Sequence, residues 1–244
     1  MRIFLIFIFL FSSTKAIAVS NVIYGGFSFG SILPENTITK FIHDRSNGQS
    51  LIDKVGEDIE LIIVDNESHD NSLRVVKTFD FLNIKEYTIP KNDYTPGRAL
   101  NIGIMESNNP YTLILSAHCE IKSFDVKSVT QKLDGDVVAL WGKQLPIWDG
   151  KKISRRYMWS NFKDSSQLNY YCDLEDRYFF HNAFSVFKTD YIKENLFDER
   201  LSGKEDRYWA NDQIENNNKK ILYDSTISVH HHYTENGATW KGVG

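Results

Sequence analysis

Four stretches of the sequence set reactive side chains where a fold could use them. In "YTLILSAHCEIKSF", His118, Cys119 and Glu120 place an imidazole, a thiol and a carboxylate in a row behind the apolar run Tyr111–Leu115. From the residues alone this is a metal site, a nucleophile with its base, or an ordinary strand terminus. "VDNESHDNS" puts Asp65, Asn66, Glu67, Ser68 and Asp70 on a strand-to-helix turn. A carboxylate there can accept hydrogen bonds from a base N–H or a ribose hydroxyl, while Ser68 and Asp70 suit helix capping. "GKEDRYWAND" carries the adjacent acids Glu205 and Asp206 at the start of a helix, where acids favour the macrodipole. Neighbours on a helix point in different directions, so the pair suits a single general base better than an acid/base couple. "SVHHHY" holds His230, His231 and His232; on a strand the first and third share a face. Two such imidazoles with one further ligand can bind a divalent metal, and an exposed strand edge is the plain alternative.

The elements that must position these groups alternate. The segments Asn21–Gly26, Ile59–Asp65, Ile84–Ile89, Tyr111–Leu115 and Val137–Gly142 read as strands, Ile59–Asp65 as a continuous β-branched one. Helical spacing lies between them at Glu35–Asp44, Ser72–Phe79 and Gly97–Ser107, the last with Leu100, Ile104 and Met105 on one side. The order predicts an α/β fold with a doubly wound, mostly parallel sheet. Such sheets bind ligands at the carboxyl ends of their strands, which here are Tyr24–Gly25, Asp65–Asn66 and His118–Glu120. Beyond residue 150 the sequence turns aromatic, with a helix around "GKEDRYWANDQIE" and a closing strand at Ser228–Tyr233.

The 244 residues suffice for one large domain, and the net charge of -4 gives no reason to expect a nucleic-acid partner. Two cysteines make no disulfide framework. No G-x-G-x-x-G follows the first strand, and no Walker A sequence occurs. "YGGFSFGS" has neither Lys nor Arg, which argues against a nucleotidyltransferase. Residues 1–18 have a basic start, an apolar run from Ile3 to Phe11 and an Ala16-Ile17-Ala18 of cleavage-site type. They read as a signal, a membrane tether or an upstream extension, with the fold beginning near Val19.

Taken in order, "NVIYGG", "ELIIVDNESHDNS", "GRALNIGI", "LILSAHCEI" and "SVFKTDYIKENLFDERLSGKEDRYWA" resemble the family 2 glycosyltransferases of GT-A fold, from about Asn21 to the C-terminus. "LSAHCEI", "WGKQLP" and "GKEDRYWA" look most like bacterial rhamnosyltransferase-type members. The resemblance implies one Rossmann-like mixed-sheet domain, with residues 19–142 as the nucleotide-sugar half and 143–244 as the acceptor half. It implies an inverting transfer from a nucleotide-diphosphate sugar to a saccharide or lipid-linked hydroxyl, in surface polysaccharide synthesis. Tyr24, Asp65, Asn66, Arg98 and Asn101 would bind the nucleotide. Asp206 would be the base, with Glu205 as second candidate. A divalent ion, Mn²⁺ or Mg²⁺, would bridge the phosphates, held by His118, Glu120, His230 and His232.

Two features depart from that pattern. His118-x-Glu120 replaces the family's D-x-D, and one imidazole with one carboxylate favours Mn²⁺ over Mg²⁺. The loop from Arg45 to Asp58 is longer than the family usually allows. The changed motif motivates an alternative, a GT-A-like nucleotide-sugar-binding or scaffold protein without catalysis. A cytoplasmic enzyme held near the membrane by its N-terminus is the expectation for location, with export as the alternative.

Overall fold

The computed structural model describes residues 3–8, 59–67, 83–116, 119–148, 151–152 and 161–232; at 3–8, 59, 83, 148, 151–152 and 232 only the backbone path is described. Its spine is a set of parallel strands, β1 (Ile3–Ile8), β2 (Ile59–Asp65), β3 (Asn83–Thr88) and β4 (Tyr111–Leu115), in the order β3-β2-β1-β4. β2 shows why an unbroken apolar run was needed. Leu61 and Ile63 enter a core on one face of the sheet, and Ile62 and Val64 enter a second core on the other. A parallel strand covered on both faces has no solvent side to mark with polar residues. Each such side chain contributes about 1.5–3 kcal/mol by leaving water.

The first strand is not where the sequence pattern puts it. Ile3–Ile8, expected ahead of the fold, lies between β2 and β4 and pairs with both, Leu5 opposite Leu61 on one side and Leu113 on the other. The described fold therefore includes residues well before Val19. The physical reason is composition: a short apolar run before a small-residue stretch has the pattern of a signal core and equally that of a buried parallel strand. Asn21–Gly26, the expected first strand, and the helices expected at Glu35–Asp44 and Ser72–Phe79 lie outside the described residues.

Beyond β4 the sheet becomes mixed. β5 (Cys119–Ser123), β6 (Val137–Trp148), β11 (Phe184–Lys188) and β12 (Lys220–His232) complete the order β4-β11-β6-β12-β5. β11 runs antiparallel to both β4 and β6, whereas β12 is parallel to β6 and antiparallel to β5. The short strands β7 (Lys151–Lys152) and β8 (Gln167–Leu168) add to β6 and β12, and β9 (Tyr171–Cys172) pairs with β10 (Arg177–Tyr178) in a separate ribbon. β12 begins eight residues before the Ser228 expected from sequence. The register shift after Asp224 lets one long strand serve two partners.

Four helices cover the sheet among the described residues: α1 (Pro96–Glu106), α2 (Val126–Lys132), α3 (Thr189–Glu194) and α4 (Glu205–Glu215). α1 starts as its sequence dictates, with Thr95 as N-cap accepting from the Arg98 N–H at 3.1 Å and Pro96 at the first helical position. Its buried face includes Gly97, Ala99, Leu100, Asn101 and Ile104, while Met105, expected on that side, is exposed. Trp141 is ringed by Phe162, Tyr170, Phe179, Phe180 and Tyr223, and this aromatic packing fills one core of the C-terminal half. Among the described residues no helix is long and apolar enough to cross a membrane.

Candidate active site

α4 opens on Glu205 and Asp206 directly after Lys204, whose backbone is left-handed at φ 68°. A non-glycine residue there costs of order 1 kcal/mol, and it turns the chain sharply so that the acids lie at the helix start. Asp206 is anchored at both oxygens: Oδ1 accepts from the Arg207 N–H at 2.8 Å and Oδ2 from the Asn182 N–H at 3.1 Å. Burial, and then the Asp206 charge beside it, push the Glu205 carboxyl up to about 8. Burial and a like charge alongside thus both disfavour the ionised form of Glu205. Arg207 turns away toward Glu175, with Nη1 3.8 Å from Oε2, and Glu175 also accepts from Arg177 Nε at 2.7 Å.

Behind Asp206 runs a polar chain that joins three elements. His231 Nδ1 lies 2.8 Å from Gln144 Oε1, and Gln144 Nε2 lies 3.0 Å from His181 Nδ1. An amide oxygen can only accept and an amide nitrogen can only donate, so the tautomers follow. His231 donates from Nδ1, His181 accepts at Nδ1, and neutral His181 carries its proton on Nε2. Burial pushes the His181 imidazole down to about 4, against the opposing pull of Asp206, which keeps the ring neutral.

The other pole lies at the carboxyl end of β2. Asp65 and Asn66 are buried there, and Glu67 follows in a left-handed turn at φ 51°. The loop after β3 is tied to this end by the Ile89 N–H donating to the Asp65 carbonyl at 2.7 Å and the Lys91 N–H donating to Glu67 Oε2 at 3.1 Å. That loop carries Tyr94, whose buried hydroxyl is raised far above the ordinary phenol range by burial and by Glu205. Tyr94 thus links the strand-end pole to the acids of α4. Among the described residues Asn66 Oδ1, Tyr94 Oη, Asn161 Nδ2 and Asn182 Nδ2 are buried without a hydrogen-bond partner. An unmet buried polar atom costs about 1–3 kcal/mol, and three of these four flank the two poles.

Two of the expected nucleotide-binding residues, Arg98 and Asn101, lie on α1. Arg98 sits on the first turn of α1 and donates from Nη1 to the Asp93 carbonyl at 3.2 Å. Asn101, expected at the nucleotide, has its amide bound within the chain. Its Nδ2 donates to the Phe197 carbonyl and to Glu199 Oε1, both at 2.9 Å, and its Oδ1 accepts from the Phe197 N–H at 3.0 Å. With its amide so engaged, Asn101 latches the segment that leads into α4. Gly97 serves the same contact, since a Cβ there would stand 2.7 Å from the Asp198 carbonyl oxygen. Tyr24 and His118 lie outside the described residues, as does the side chain of His232.

Glu120 and His230 are brought together. They are register partners across β5 and β12, with Glu120 Oε2 3.8 Å from His230 Nδ1 and both side chains half-buried. One carboxylate and one imidazole suit a borderline divalent ion such as Mn²⁺. Among the described residues no third metal-ligating group joins them. Cys119 pairs with His231 on the same two strands and is wholly buried among apolar neighbours, which raises its thiol well above the ordinary range. The thiol-nucleophile reading therefore has no support.

Gln144, His181, Asn182, His231 and Tyr94 were not singled out from sequence. A signal was present for His181 and Asn182: a polar pair interrupts the apolar run from Phe179 to Phe187. His231 was set aside because it alternates away from His230, yet its own side of the strand holds the polar chain.

The glycosyl transferase family 2 pattern matches residues 47–196, more than half of the chain. Among solved structures, S. aureus TarS 1–349 in complex with UDP superposes with a TM-score of 0.54 at 20% identity, covering 72% of this chain and 52% of that one. TarS 1–349 in complex with UDP-GlcNAc gives 0.54 at 19% identity, covering 73% and 51%. GalNAc-T7 with UDP, GalNAc and Mn²⁺ gives 0.53 at 15%, covering 71% of this chain and 38% of that one. The chain thus spans about half the length of the TarS fragment and less of GalNAc-T7. No curated protein sequence matches. At these identities the likeness is one of fold, and the fold is GT-A. With the match over residues 47–196, the chain belongs to glycosyl transferase family 2.

Proposed function

We propose that the chain transfers a sugar from a nucleoside-diphosphate donor to a hydroxyl of a saccharide or lipid-linked acceptor, with inversion at the anomeric carbon. One observation carries the reading: Asp206 is fixed by the Asn182 N–H at the start of α4, and the Tyr94 loop joins that helix start to the Asp65–Asn66 strand end. The donor's nucleoside lies over Asp65 and Asn66, with Arg98 near its phosphates. Asp206 takes the proton of the acceptor hydroxyl as that oxygen bonds to the anomeric carbon and the bond from that carbon to the diphosphate oxygen breaks. Burial disfavours the charged form of Glu205, which leaves Asp206 as the base in this reading.

Glu120 and His230 would hold a divalent ion, which when bound neutralises charge on the departing diphosphate. The UDP and Mn²⁺ in similar folds support this donor class and ion. The rhamnosyltransferase-like segments support a deoxyhexose donor and a role in surface polysaccharide synthesis. That reading places the enzyme in the cytoplasm, meeting lipid-linked acceptors at the membrane surface.

The test is a panel of UDP-, GDP- and dTDP-sugars incubated with the protein and Mn²⁺, scored by release of nucleoside diphosphate. Release from at least one donor is expected, and Asp206→Asn should lower transfer by about 10²–10⁴-fold while nucleotide binding persists. Full transfer by Asp206→Asn would remove the base assignment, and no binding of any donor would leave the non-catalytic alternative.

A further inference from the structure

The segment before β11 holds two polar side chains that the reaction as described does not use, and both stand beside Asp206. Asn182 is only 7% exposed, and its Nδ2 has no hydrogen-bond partner. Its other end is fixed, because the Ser185 hydroxyl donates to Asn182 Oδ1. Turning the amide over would let Nδ2 donate to the Ser185 oxygen but would leave Oδ1 as the unmet buried atom in its place. Its backbone N–H is the group that holds Asp206 Oδ2. His181, next in the chain, has its Nδ1 occupied by Gln144, which leaves Nε2–H as its donor. The helix start is thus flanked by donors that call for acceptor oxygens.

The chemistry of those oxygens follows from the charge around them. A phosphate would bring its negative oxygens against Asp206, at the more acidic end of the site. A hydroxyl meets both requirements: its oxygen accepts from an N–H while its proton is donated to a carboxylate. We propose that Asn182, with His181 beside it, forms a subsite for saccharide hydroxyls next to Asp206. Asn182 Nδ2 donates to one hydroxyl oxygen and His181 Nε2 to a neighbouring one, so that the sugar ring is oriented relative to the base. The proposal rests on the glycosyltransferase reading and deepens it by assigning the sugar contacts. The hydroxyls belong either to the acceptor or to the sugar of the donor, and the two sources separate experimentally.

The variants are Asn182→Ala and, as a structural control, Ser185→Ala, which removes the bond that fixes the amide but leaves the Nδ2 donor in place. Each is compared with the wild-type chain in Mn²⁺ by calorimetry with UDP-, GDP- and dTDP-sugars, every donor paired with its bare nucleoside diphosphate. Transfer to a panel of methyl glycosides then gives the KM for acceptor at saturating donor. If the acceptor supplies the hydroxyl, Asn182→Ala raises acceptor KM about three- to tenfold and leaves donor affinity alone. If the donor sugar supplies it, the affinity ratio of donor to bare nucleotide falls by the same factor. In both cases affinity for the bare nucleoside diphosphate is unchanged and Ser185→Ala stays within about twofold of wild type. A folded Asn182→Ala chain with neither quantity moved overturns the subsite, and so does an equal loss in Ser185→Ala. If Asn182→Ala does not fold, His181→Phe carries the same readouts, since it keeps the ring against Phe162 and removes the Nε2 donor together with the acceptor of Gln144, whose own effect Gln144→Leu measures. A wild-type chain that binds no nucleoside diphosphate overturns the parent reading, whereas nucleotide binding with an unmoved sugar contact overturns the subsite alone.

Discussion

Glu120 and His230 face each other across the antiparallel pair of β5 and β12, with carboxylate and imidazole 3.8 Å apart. The separation leaves room for shared coordination, and the donor set is one oxygen and one nitrogen. Mn²⁺ should therefore raise the melting temperature more than Mg²⁺ does. Glu120→Gln and His230→Ala should each weaken Mn²⁺ binding by about tenfold or more, as read by calorimetry. Equal affinity in both variants would move the ion elsewhere.

Glu205 gives the protein a stability that depends on pH. An unfolded glutamate loses its proton near 4.5, while the folded group keeps its proton until about 8. Across that window the folded state binds more protons, so stability falls as pH rises, by up to about 1.4 kcal/mol per pH unit. Glu205→Gln should flatten this slope and raise stability at pH 8. Denaturant unfolding at pH 5, 6.5 and 8 measures it, and parallel curves for wild type and variant would contradict the burial argument.

The chain His231–Gln144–His181 makes a prediction of the opposite slope. Folded His181 takes a proton only near 4, whereas an unfolded histidine does so near 6.5. Between those values the unfolded state binds more protons, so stability from this group rises with pH and is lost as pH falls. Gln144→Glu replaces an amide N–H by an acceptor and should pull His181 upward from about 4, visible in an NMR titration of its ring. Gln144→Leu leaves two imidazole nitrogens unmet and should cost about 2–4 kcal/mol.

Asn101→Ala separates a latch from a ligand contact. It removes three hydrogen bonds and strands the N–H and carbonyl of buried Phe197, a loss of about 2–4 kcal/mol. Nucleotide affinity of the folded variant should stay within about twofold of wild type. A selective loss of nucleotide binding at unchanged stability would restore the role that the resemblance implied.

What the sequence disclosed depended on whether a residue's task was local. The strand Ile59–Asp65, helix α1 and the acids opening α4 follow from apolar runs, a Thr-Pro start and a charged helix start, all legible within one short window. The polar chain was not, since its members come from β12, β6 and the segment before β11 and meet only after the sheet forms. Asn101 was found but misread, because an amide pointing at a backbone 96 residues away has the same local signature as one pointing at a ligand. The N-terminal run failed for a different reason: hydrophobicity alone does not distinguish a strand from a leader.

The position of β11 reaches beyond the chemistry. It is drawn from the C-terminal half and inserted between β4 and β6, while Asn101 clasps Phe197 across the same divide. Cutting the chain after residue 142 would leave β4 paired with β1 on one side and open along the edge that β11 occupies, a surface prone to self-association. The two functional halves are therefore one cooperative folding unit, which should melt in a single transition and resist being expressed as separate fragments.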